Sequence, residues 1–186
     1  MLFNIDKCKT LPIGGRNLNE LYNMEGRPLE SVHEEHDLGI MITKDLKCCK
    51  QCLNAAKAAN KILGMITRTF TYISVEIIYQ LYKSLVRPRL EYCIQAWCLH
   101  LRKDIDLLEK VQRRATRLIY SLHDLPCYDR LKRLKLTTLV TRRVRGDFIE
   151  VFKIIKGFEE VASNTFFKML LPLTLEFIHL NCISII

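Results

Sequence analysis

The sequence predicts a mainly α-helical protein, with a small N-terminal β-hairpin element followed by a bundle of four or five helices. Three observations lead there. Apolar residues recur at helical spacing from Leu46 onward. Turn-forming residues concentrate in the first 43 residues, at Gly14-Gly15 and at Glu25-Gly26-Arg27-Pro28. With 186 residues, 49% hydrophobic, 26% charged and only 7 Gly and 5 Pro, the chain can bury a core, which excludes disordered, collagen-like and low-complexity classes.

Taken in order, Glu25 to Pro28 separates two short runs that can pair as a hairpin, and Leu38-Gly39-Ile40-Met41-Ile42 reads as a strand. The first helix begins near Leu46 and places Leu46, Cys49, Leu53, Ala56, Leu63, Ile66 and Phe70 on one face. Gly64 within it predicts a close helix contact, because glycine there costs about 1 kcal/mol relative to alanine. A second segment runs from Val75 to Pro88, where the proline kinks or ends it before Leu90 to Trp97 continues.

The third segment, Lys103 to Leu122, carries the clearest pattern. Ile105, Leu108, Val111, Ala115, Leu118, Ile119 and Leu122 share one side, with Lys103, Lys110, Arg114 and Arg117 on the other. Two further pieces, about Tyr128 to Leu134 and Leu139 to Ile155, complete the bundle, the last ending at Gly157 as a C-cap. Three regions follow: residues 1–43, residues 44–157, and a divergent apolar tail at 158–186.

Charge is unevenly spread. The net +9 and sequence pI of 9.2 point to polyanionic partners. Residues 1–40 carry −3, residues 41–100 carry +6, residues 101–145 carry +8 and residues 146–186 carry −2. The basic face of the third helix, continued by Arg130, Lys132, Arg133 and Lys135 and by Arg142, Arg143 and Arg145, has the character of a phosphate-tracking surface. Its plain alternative is a solvated face, since Asp106 with Lys110 and Glu109 with Arg113 stand at ion-pair spacing.

Other chemistries find little support. Lys7 and Lys9 interrupt the apolar start, so no secretory leader is expected, and the eight Cys read as reduced intracellular thiols, cytoplasmic or nuclear. No stretch has the roughly 18 uncharged apolar residues that cross a bilayer, so no membrane association is expected. His33-Glu34-Glu35-His36 has i,i+3 spacing where zinc-protease histidines need i,i+4. Cys48, Cys49 and Cys52 lack a second ligand pair and read as buried or half-buried thiols. Gly14-Gly15 lacks the ending of a phosphate loop. Asp104 and Asp106 point about 200° apart on a helix, and they read as capping residues instead of metal ligands. No metal is expected.

Particular strings are more specific. Leu81-Tyr82-Lys83-Ser84-Leu85-Val86-Arg87-Pro88-Arg89-Leu90-Glu91-Tyr92-Cys93, then Trp97, then Asp104-Ile105 and Leu108-Glu109-Lys110-Val111-Gln112-Arg113-Arg114-Ala115-Thr116 resemble the region downstream of the catalytic centre in non-long-terminal-repeat retrotransposon reverse transcriptases. The likeness is to the jockey and chicken-repeat type. Phe3-Asn4-Ile5-Asp6-Lys7-Cys8-Lys9 resembles that family's lysine motif, and Glu35-His36-Asp37-Leu38-Gly39-Ile40 its primer grip. Arg130-Leu131, Leu134, Leu136, Arg142-Arg143-Val144-Arg145-Gly146-Asp147-Phe148-Ile149 and Lys153 extend the resemblance to Gly157.

The resemblance implies the end of a polymerase palm (1–43) followed by a helical thumb (44–157), whose partners would be an RNA–DNA hybrid or a DNA duplex and the palm and fingers of a longer polymerase. The aspartate-bearing strand would lie before Met1, so the chain alone is expected to be inactive, with no cofactor of its own and Mg2+ only in the full-length enzyme. By the same resemblance Lys7 would sit near the leaving pyrophosphate as an accessory catalytic group. Leu38, Gly39 and Ile40 would form the primer grip, and Lys103, Lys110, Arg113, Arg114, Arg117, Arg142, Arg143 and Arg145 would contact nucleic acid. Leu99 stands where the family usually has proline after Trp97. A helical protein-interaction module and a remnant of a truncated element without function are the alternatives the sequence leaves open.

Overall fold

Two hairpins with two-residue turns organise the start of the chain. In the computed structural model, which describes residues 4–14, 17, 20–70, 72, 74–162 and 167, strands β1 (Lys9–Thr10), β2 (Asn23–Met24), β3 (Arg27–Pro28), β4 (Glu30–Ser31), β5 (Glu34–Asp37) and β6 (Ile40–Thr43) form three two-stranded ladders. β1 pairs with β4 in parallel, while β2–β3 and β5–β6 are antiparallel. Glu25 and Gly26 turn the first hairpin with φ of 50° and 77°, the doubly left-handed turn whose twist suits a tight hairpin. Arg27 and Pro28 therefore belong to a strand and not to the turn.

The strand expected over residues 38–42 begins later. Leu38 and Gly39, at φ 44° and 83°, are themselves the turn between β5 and β6, and Ile40 opens β6. Glu34, Glu35 and His36 lie in β5, and His33 stands just before it. Gln51 fixes this element to the first helix by accepting the Met41 N–H at 2.9 Å.

Helix α1 (Cys49–Thr69) buries Cys52, Ala55, Ala56, Ala59, Leu63 and Ile66. Leu46 precedes the helix, and Leu53 is 42% exposed, so the buried face is rotated from the one the large side chains predict. Small residues let a neighbour come close, and this stripe is where later helices pack. Gly64 makes no such contact: a Cβ built there meets nothing within 4 Å.

The next segment stays helical through Pro88 and ends at Glu91. Helix α2 (Val75–Leu81), capped by Ser74 Oγ accepting the Ile77 N–H, runs into a π turn at Tyr82–Val86 and then α3 (Arg87–Glu91). In the π turn the Arg87 N–H bonds the Tyr82 carbonyl five residues back, and the widened ladder receives Pro88 in the first turn of α3, where a missing N–H is tolerated. Trp97 is buried, and its indole N–H donates to the Tyr92 carbonyl at 2.9 Å.

Helix α4 (Arg102–Arg117), a 3-10 turn at Tyr120–Leu122, α5 (Cys127–Arg133) and α6 (Leu139–Lys156) complete the order. The core joins Leu63, Ile66, Ile78, Val86, Leu90, Leu108, Val111 and Ile119 with Leu134 and Leu139. Mainly helical with a small N-terminal β element, the architecture is the one the residue pattern predicts. Two compact units divide the chain, Met1–Thr141 and Arg142–Ile186, and α6 starts in the first and continues in the second.

Within the second unit, Gly157 at φ 71° ends α6. Its N–H bonds the Ile154 carbonyl and the Phe158 N–H bonds the Lys153 carbonyl, the double closure of a Schellman cap, with the Phe152 and Phe158 rings 6.5 Å apart. Of the tail, residues 158–162 and Phe167 are described, and its remaining residues lie outside the described set.

Candidate nucleic-acid interface

Helix α4 divides sharply into two sides because its sequence does. Leu108, Val111, Gln112, Ala115 and Thr116 are buried, whereas Arg102, Lys103, Lys110, Arg113, Arg114 and Arg117 are exposed. At about 100° per residue the exposed cations occupy one arc of the helix, and from Lys103 to Arg117 they extend about 21 Å along its axis. Arg102 is a member of this row that periodicity from Lys103 misses.

The acids of α4 behave differently from their expected pairings. Asp106 lies 3.6 Å from Arg102 and 3.9 Å from Arg113, exposed pairs of small energetic weight. Glu109 turns inward instead of pairing with Arg113: its Oε1 accepts the N–H of Leu139 at 2.8 Å and of Val140 at 3.3 Å, at the start of α6. Thr138 Oγ1 accepts the third amide, that of Thr141, at 3.1 Å. The first turn of α6 therefore has its unpaired amides satisfied by two side chains.

Asp104 does not cap α4 either, although it sits in the first turn where the helix dipole favours an acid. It is buried, and its Oδ2 accepts the Cys49 thiol at 2.9 Å. That hydrogen bond, then partial burial, pushes the Cys49 thiol above its ordinary range. Asp104 and Asp106 thus face different surroundings, one inside against a thiol and one outside among guanidinium groups. They do not fit a polymerase-type metal pair. Among the described residues, no group of three or more His, Cys, Asp and Glu side chains could hold a metal ion. Cys52 is buried, and Cys48 and Cys49 are half-buried.

Around α4, Arg114 Nη1 donates to Asn60 Oδ1 of α1 at 3.2 Å. No described carboxylate forms an ion pair with Lys103, Lys110 or Arg117. Arg130 is no part of the basic surface: it is buried, donating to Thr116 Oγ1 at 3.3 Å and to the Leu125 carbonyl. The guanidinium is spent on closing the loop between α4 and α5, a use that charge counting cannot distinguish from solvation.

The N-terminal site residues separate from this row. Lys7 is exposed at the end of a 3-10 turn (Ile5–Lys7), not on a strand. Leu38 projects from its hairpin turn at 83% exposure, and Ile40 is buried. Tyr92 holds the turn by donating its hydroxyl to the Leu38 carbonyl at 3.0 Å, and a Cβ on Gly39 would stand 3.1 Å from the Tyr92 ring. No residue of the sequence motif beyond Gly39 signals this clamp, because Tyr92 is 54 positions away.

Arg142, Arg143 and Arg145 lie on α6 in the second unit. Arg145 is exposed and Arg142 half-buried, but Arg143 is only 7% exposed, so it does not offer its charge to solvent as expected. Within that unit, Val144, Phe148, Phe152 and Ile155 are exposed apolar side chains of the same helix.

Among the described residues, no helix is long and apolar enough to cross a membrane. No protein-family model matches the chain, and neither a curated protein nor a solved structure matches it.

Proposed function

We propose that this chain binds a nucleic-acid duplex through its phosphates, as the thumb and palm end of a non-long-terminal-repeat retrotransposon reverse transcriptase would, and that alone it does not extend a primer. The observation that carries the reading is the row of exposed cations along α4, opposite the buried side that carries Leu108, Val111 and Ala115. Lys or Arg on a rigid helix can neutralise successive phosphates and release condensed counterions, giving affinity that falls steeply with salt. The resemblance of the strings at residues 81–93 and 104–116 supports the polymerase origin. The string at residues 35–40 resembles the family's primer grip, and its Leu38–Gly39 turn is held by Tyr92.

The test is binding of the purified chain to an RNA–DNA hybrid, a DNA duplex and single strands across a salt series, with primer extension measured in parallel. Tight, steeply salt-dependent duplex binding without extension is expected. Replacing Arg113, Arg114 and Arg117 by Ala is expected to flatten the salt dependence, each lost contact removing about 0.9 units of logarithmic slope. Absence of duplex binding by folded protein overturns the reading, and extension by the chain alone overturns the claim of inactivity.

A further inference from the structure

Two contacts fix how α1 lies beside α4. Cys49, at the start of α1, bonds Asp104 at the start of α4, and Asn60, eleven residues later, bonds Arg114, ten residues later. The two helices therefore run side by side in the same direction. Both turn their buried sides to the same core, Cys52, Ala59 and Leu63 from one and Leu108, Val111 and Ala115 from the other. Neighbouring helices that share a core present their outer sides together, so the exposed side of α1 continues that of α4 at the usual axis separation of about 8–10 Å.

The outer side of α1 is strongly basic. Its residues 49–69 include Lys50, Lys57, Lys61 and Arg68, all exposed, and no Asp or Glu. Lys50 pairs with Glu34, but no described carboxylate forms an ion pair with Lys57 or Lys61. The register set by the two contacts places Lys57 at a height between Lys110 and Arg114, and Lys61 between Arg114 and Arg117. On this two-helix surface the one described acid facing outward among these cations is Asp106.

The surface also lacks something that a single-strand binder uses. Neither α1 nor α4 contains a Phe, Tyr or Trp, so neither helix itself offers an aromatic stacking platform for unpaired bases. What remains is two parallel rows of cations, suited to a regular array of phosphates and blind to base identity.

We infer that α1 and α4 form one two-row phosphate surface, in which Lys57 and Lys61 add a second row to that of α4 and the occupant is a double-stranded backbone. Asn60 is a positioning residue that holds Arg114 between the rows. This rests on the duplex-binding reading and extends it to residues and to a strand preference.

The experiment compares the full chain with the Lys57→Ala/Lys61→Ala variant on an RNA–DNA hybrid, a DNA duplex and matched single strands, reading the salt dependence of affinity. The expected result is a slope lower by about 2 units for the variant on duplexes, from about 0.9 units per contact. A Lys57→Arg/Lys61→Arg variant keeps the charges and is expected to retain the slope, and unchanged circular dichroism and melting establish that both variants fold. If the wild type binds duplex with a steep slope and the alanine variant keeps that slope, the second row is overturned while the duplex reading stands. Single strands bound as tightly as duplexes overturn the strand preference. If the wild type binds no nucleic acid, both the reading and this extension fall.

Discussion

Glu109 Oε1 accepts the backbone N–H of Leu139 at 2.8 Å, so a carboxylate in the middle of α4 satisfies the start of α6, 30 residues away. The same oxygen also receives the Val140 N–H. A charged acceptor on two otherwise unpaired amides is strong, and it ties the middle of α4 to the first residues of α6.

Replacing Glu109 by Ala is expected to destabilise the protein by about 1–3 kcal/mol, the cost of leaving buried amides unpaired. Glu109→Gln, which keeps an acceptor oxygen and loses the charge, is expected to cost less. Urea unfolding of the three proteins measures the order, and equal stability of wild type and alanine variant refutes the coupling.

Gly39→Ala is expected to destabilise by about 1–2 kcal/mol, because a non-glycine residue in the left-handed region is strained. Here φ is 83° and the new methyl would meet the Tyr92 ring at 3.1 Å. Tyr92→Phe, which removes the hydroxyl donated to Leu38, isolates the contribution of that hydrogen bond. Thermal melts of both variants decide whether the turn is clamped as described.

Cys49 is expected to alkylate more slowly than exposed Cys93 or Cys98 near neutral pH, since its thiol is held above the ordinary range by the hydrogen bond to Asp104. The sign follows: a raised folded pKa favours folding while the thiol is protonated, so this contribution is complete below the ordinary thiol pKa of about 8.5 and fades as pH rises through the folded value. Asp104→Asn removes the charge and is expected to speed alkylation of Cys49, read peptide by peptide in a mass spectrometer. An unchanged Cys49 rate counts against the pairing.

Asp45 shows the opposite shift. Its carboxyl is held well below the ordinary range by the Lys47 ammonium at 2.9 Å and by the Thr43 hydroxyl. A lowered folded pKa contributes stability above the unfolded value, about 3.9, and loses it as pH falls through the folded one. Asp45→Asn is therefore expected to narrow its stability deficit relative to wild type as pH drops below about 4. A difference that stays constant with pH disproves the assignment.

Local sequence signals determined the helical class, the basic outer side of α4 and the Gly157 cap, because each depends on residues within a turn or two of one another. Glycine positions likewise revealed one hairpin turn at Glu25-Gly26. The local signal misplaced the rotation of α1, since large apolar residues such as Leu53 attract the eye while the packed stripe is made of Ala and Cys.

What only the tertiary structure decided is where polar side chains go. Glu109, Asp104, Arg130 and Arg143 look like members of a charged surface by composition, yet each is buried. Three of them have backbone, thiol or hydroxyl partners 14 to 55 positions distant. Arg114 and Asn60, 54 positions apart, are joined in the same way. The physical reason is that a hydrogen bond across packed helices depends on which faces meet, and no periodicity within one helix encodes its neighbour.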